Sequence, residues 1–154
     1  MDAAYSALCA APVAGALVPF LTALRESFAA MPDTPTGIRA DVLVRIDADL
    51  SRDGVPLPAP VPRLDLHPLA ADYVMLGSRS GAAYLRRAWA DVPGVANSAF
   101  FAADADRAAW RDLTDRLAGQ PATGPAADRI VADARTAFAA FGHAAARLRS
   151  RSAA

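Results

Sequence analysis

The chain has 154 residues, enough for one domain with a sizeable core. Sixteen basic and sixteen acidic residues cancel, so no strong net field directs it to nucleic acid or to an anionic membrane surface. Its single cysteine, Cys9, excludes an internal disulfide framework and fits a reducing, cytoplasmic setting.

Hydrophobic residues make up 54%, much of it alanine, which favours helix. Every basic residue is arginine. The expected organisation is a single domain over 1–154, with a proline-rich internal connector at 54–67 and a frayed tail at 150–154.

Residues 3–24 carry no charge, a stretch long enough to span a bilayer. Pro12, Gly15 and Pro19 interrupt it, and Asp2 precedes it in place of a basic region, so it reads as buried helix rather than signal or anchor. A short helix is expected at 2–11, ending before Pro12, and a longer one at 13–31 with Leu17, Phe20, Leu21, Leu24 and Phe28 at helical spacing. Pro19 either kinks that helix or restarts it. A turn at 32–37 leads to a helix over 38–53, with Val42, Leu43, Ile46 and Leu50 on one face and Arg39, Asp41, Arg45 and Asp49 mostly off it.

Four prolines, Pro56, Pro58, Pro60 and Pro62, make the following segment an extended connector, a stiff loop rather than a proline-motif ligand. Pro68 suits the first turn of a helix running to about residue 91. Further helices are expected at 102–117, with Trp110, Leu113 and Leu117 inward, and at 126–149. The buried stripe of the last is Ile130, Val131, Ala134, Phe138, Phe141 and Ala145. No stretch alternates like a strand, so the class is all-α.

No Cys-x-x-Cys, His-Glu-x-x-His, phosphate-binding Gly-Lys-Ser/Thr or dinucleotide glycine fingerprint occurs. Ser78 and Ser80 have no His/Asp partnership that makes a nucleophile. His67, just before Pro68, reads as a polar residue in a helix-entry turn, and His143 as an ordinary helix histidine. Cys9 reads as a small buried apolar group, and Arg147, Arg149 and Arg151 as a solvated helix end.

The unusual stretch is Leu76-Gly77-Ser78-Arg79-Ser80-Gly81, which sets two glycines four apart inside a helical pattern. Each costs a helix interior about 1 kcal/mol relative to alanine. The spacing puts both on one face at successive turns, where backbone can approach another helix or a planar ligand.

With Tyr73-Val74-Met75 before it and Ala82-Ala83-Tyr84-Leu85 after it, this stretch resembles the distal helix of bacterial, biliverdin-producing heme oxygenases. That family carries a tyrosine-led apolar run followed by Gly-Ser-x-x-Gly-Gly/Ala. The resemblance continues through Phe100-Phe101, an acidic turn, the Trp110 helix and Thr136-Ala137-Phe138-Ala139-Ala140-Phe141 in the last helix. It covers about 66–148, and 4–53 looks more loosely like the family's second and third helices.

The resemblance implies a heme oxygenase-like multihelical bundle, shortened at its N-terminus, with heme held between a proximal and a kinked distal helix. Oxygen would attack the porphyrin edge, giving biliverdin, carbon monoxide and ferrous iron. It implies that Gly77 and Gly81 flank the oxygen site and that Ser78 orders distal water. It also implies that Phe138 and Tyr73 contact the heme and that Arg111 partners a propionate.

The departures are equally specific. The family's first helix carries a proximal histidine that ligates iron, whereas no histidine precedes His67. Asp115 stands where a second basic propionate partner is common, and Ala82 replaces a frequent glycine. The expectation is therefore a degenerate relative acting as a binding or regulatory module. Heme, another planar ligand, a protein partner or a second copy would cover the open face. The alternatives are an active heme oxygenase and a helical interaction protein in which the glycines serve packing alone. Neither nucleic acid nor membrane is expected as a partner.

Overall fold

In a computed structural model the backbone is described for residues 15–152, and the side chains for these except Ala145 and 147–152. The helix expected at 2–11, Cys9 and the side chains of Arg147, Arg149 and Arg151 lie outside the described residues. Among those described the chain is all-α. No described helix is long and apolar enough to cross a membrane.

Helix α1 spans Leu17–Ala30. Pro19 sits in its first turn, where a missing N–H removes no helical hydrogen bond, so the helix starts there instead of kinking. Phe20, Leu21, Leu24 and Phe28 form its buried stripe. Met31 leaves in extended conformation and the turn at 32–37 follows. Helix α2 spans Ile38–Arg52, and Val42, Ile46 and Leu50, four apart, are buried. Asp49, expected off this face, is instead fully buried.

The connector after α2 is irregular, as its prolines require, but it is tied down. Val55 N–H donates to Leu50 O at 2.9 Å and Leu64 N–H to Ala30 O at 2.8 Å. Arg63 pairs with Asp33, and together with Arg39 holds that exposed carboxyl below its usual range.

Helix α3 spans Pro68–Ala88, stopping three residues short of the expected end at 91. His67 caps it: its Nδ1 accepts from Leu69 N–H at 3.2 Å, and its own N–H donates to Asp133 Oδ2 at 2.7 Å. A turn through Gly94 and a 3₁₀ segment, Val95–Asn97, lead to a four-residue helix α4, Ala99–Ala102.

The helix expected at 102–117 therefore begins five residues late, and α4 before it, but for Ala102, lies outside the expected helices. Residues 103–106 separate the two, and α5 starts at Arg107 because Asp106 accepts from Ala108 N–H and Ala109 N–H at 3.0 and 2.9 Å. Helix α5 ends at Ala118. Helix α6 runs over Pro125–Ser152. Its inward residues are Ala137, Phe141 and Ala144, whereas Val131 and Phe138, expected in the buried stripe, are exposed.

Helix α1 packs between α2 and α6, and α6 lies also against α3. Phe20 anchors this core, stacked on Phe101 at 5.9 Å and edge-on to Trp89 at 5.0 Å. A separate small cluster of Leu69, Leu76 and Leu113 seats α5 on α3.

The turn before α4 depends on Gly94, at φ 90°, where a Cβ would lie 2.9 Å from Leu17 Cδ2. The leucine end can move, but the left-handed backbone stays strained for any other residue. Gly94→Ala should therefore lose about 1–2 kcal/mol, lowering the melting temperature by roughly 3–8 °C. A thermal melt unchanged within a degree would show that the turn relaxes freely.

Candidate ligand-binding face

Helix α3 passes through both glycines without interruption, and neither has positive φ. Tyr73, Gly77, Gly81 and Tyr84 follow one another at spacings of four, four and three, and so share a face. The opposite side carries Val74, Met75, Ala82 and Leu85 into the core. This alternation explains why Tyr84, at the end of an otherwise apolar run, stands 72% exposed.

Two neighbouring helices bring rings to the start of this face. Trp110 of α5 lies 5.7 Å from Tyr73, ring to ring and tilted by 33°. Phe138 of α6 meets Tyr73 edge-on at 6.4 Å. Trp110 also closes over Gly77, since a Cβ there would sit 3.9 Å from Trp110 Cζ3. Gly81 differs: among the described residues nothing lies within 4 Å of the position its Cβ would take. The two glycines therefore play different parts. Gly77 receives a side chain of the same protein, and Gly81 presents bare backbone beside Tyr84.

The structure brings together Tyr73, Gly77 and Phe138 of the expected site residues, with Gly81 one turn further along. Ser78 is half-buried and turned about 100° from Gly77, so it sits at the margin of the face. Arg111, one residue past Trp110 on α5, is exposed and makes no ion pair among the described residues. Asp115 is exposed one turn further on. Trp110 was expected inward, and it is only half-buried, serving the face. Tyr84 was not singled out, although its spacing of three from Gly81 and seven from Gly77 marks it.

The chain matches no protein-family model, no curated protein and no solved structure.

Between the glycines, Arg79 turns inward and is 2% exposed. It donates to Phe100 O at 3.0 Å and to Ala103 O at 2.7 Å, with its guanidinium 4.9 Å above the Phe100 ring. Burial pulls this guanidinium below its ordinary range, with Arg45 adding a smaller push in the same direction. The other end of α4 meets Asp49. Its carboxylate accepts from Ser98 Oγ at 2.6 Å, Ala99 N–H at 2.7 Å and Phe100 N–H at 3.0 Å, and pairs with Arg52. A carboxylate on the first amides and a guanidinium on the last carbonyls both match the dipole of the helix between them. Phe100 and Phe101 are thereby fixed in the core, away from the α3 face.

As a seat for heme the face fits in one respect and fails in another. Bare backbone at Gly81 and the Tyr73 and Phe138 rings suit a flat apolar ring. Axial ligation needs a strong donor over the ring. His67 is occupied in capping α3 ten residues before Gly77, about 15 Å along the axis. His143 is an exposed residue of α6 and is not among the side chains that line the face. The residues present thus fit the porphyrin plane but not a histidine-held iron.

Proposed function

We propose that this chain is a heme oxygenase-like binding module that takes a planar, apolar ring system on α3 and does not turn heme over. The observation that carries this reading is the bare backbone at Gly81 beside the exposed Tyr84, one face with Tyr73 and the Phe138 ring packed on it. A flat ligand laid there would gain apolar contact that no side chain among the described residues supplies. Exposed Arg111, next to Trp110 in sequence, would offer a planar guanidinium to an acidic edge group such as a propionate, while Asp115 would disfavour a second one nearby. Heme is the first ligand to test, as ring rather than as reactive iron.

A second reading is favoured by one observation. Trp110 lies over Gly77, as expected if the glycines serve helix packing in an interaction protein without a ligand. The two readings separate in one experiment: titration with hemin and with metal-free protoporphyrin, then addition of ascorbate, with oligomeric state measured alongside. Saturable binding of both rings, without the spectrum of histidine-ligated heme and with the heme intact after reductant, is the expected result. Conversion to biliverdin would replace the proposal with an active oxygenase. Failure of both rings to bind would leave the packing reading in place.

A further inference from the structure

We infer that α5 is a lid on this face, with Trp110 occupying the seat over Gly77 in the closed form described here; the inference rests on the ligand-binding reading just proposed. Three features set α5 apart from the other long helices. Its only buried residue is Leu113, and it is seated through the small cluster with Leu69 and Leu76 rather than through the main core. Ala109, Trp110 and Leu117 add only partly buried contacts to that cluster, and a helix held this way opens at a lower free energy than the core helices.

The polar side of the seat is badly matched. Asp72 of α3 is fully buried, and its Oδ1 accepts from the hydroxyls of Thr34 and Thr36 at 2.6 and 2.7 Å. Its Oδ2 has no hydrogen bond, and only a long ion pair to Arg116 Nη2 of α5, at 3.5 Å, ties it to the lid. Arg116 Nε is also buried without a hydrogen bond, though Asp112 Oδ2 lies 2.9 Å off in poor alignment. Buried polar atoms left unmade oppose the closed state, and opening α5 returns them to water.

The connections permit this. The segment before α5 is fixed at Ala103 by Arg79, leaving 104–106 as the bend. The loop behind it carries Gly119 and Gly124, the latter at φ +99°. Swinging α5 away would bare Gly77 and one side of Tyr73, extending the free backbone from one turn of α3 to two.

Amide hydrogen exchange on the ligand-free protein tests the lid without any ligand. Amides of α5 should exchange at least tenfold faster than those of α3 and α6, as one cooperative set. Equal protection in all three helices would overturn the lid. Trp110→Ala then tests its role at the site: protoporphyrin should bind the variant about tenfold more tightly or more rapidly, because the seat is vacated. Weaker binding by the variant would instead make Trp110 part of the ligand's stacking surface and overturn the inference. If neither protein binds protoporphyrin, the ligand-binding reading fails, while the exchange pattern still decides whether α5 opens.

Discussion

Asp49→Ala should destabilise the protein by about 3–5 kcal/mol, since it strips a buried carboxylate from three donors at once. Ser98 and Phe100 are buried and Ala99 half-buried, so at least the hydroxyl of Ser98 and the amide of Phe100 lose their partner away from water when the acceptor is removed. Asp49→Asn keeps the volume and one acceptor oxygen, so it should lose about half as much. Urea denaturation of the three proteins would measure this, and a loss below about 1 kcal/mol for the alanine variant would show that the donors find other partners. The effect is larger than that of an ordinary N-cap, about 1 kcal/mol, because this cap comes from another helix and is fully dry.

Arg79→Ala should lose about 3 kcal/mol. Two hydrogen bonds from a charged donor and the packing of the Phe100 ring are removed, and the relief of a buried cation offsets part of the loss. Arg79→Met separates the two effects. It keeps the apolar stem and relieves the charge but leaves both carbonyls unpaired, so it should fall between wild type and alanine. Arg79→Lys should recover little, because a single ammonium cannot reach two carbonyls as a guanidinium fork does. Combined with Asp49→Ala, the loss should be smaller than the sum of the two, since either change alone releases α4. Strict additivity would mean that the two charges act on separate structures.

The spacing of apolar residues located the long helices. Val42, Ile46 and Leu50 repeat every four residues and are buried as the pattern requires. Asp49 was assigned to the solvent side because its charge was read without its partners, which lie 49 to 51 residues downstream. No local pattern carries that information. The break before α5 was more accessible: Ser98 and Asp106 are both good caps, and two caps eight apart mark two helix starts. Phe138 and Val131 were assigned inward by hydrophobicity alone, which cannot separate a core stripe from a face left open. The glycine pair was visible from the outset, but that Gly77 is covered and Gly81 bare depends on where α5 comes to rest.

Helix α4 also says something about the order in which the chain folds. Four residues cannot nucleate a helix on their own. Its two ends are set by residues of α2 and α3, so both must be docked before it exists. Asp49→Ala and Arg79→Ala are therefore expected to speed unfolding and leave the folding rate nearly unchanged in stopped-flow kinetics, placing α4 after the folding barrier. Contacts made that late govern how slowly the native state is lost, not how fast it is reached. Asp49 and Arg79 then act as locks on a finished core, and the lifetime of the folded molecule rests on them more than its assembly does.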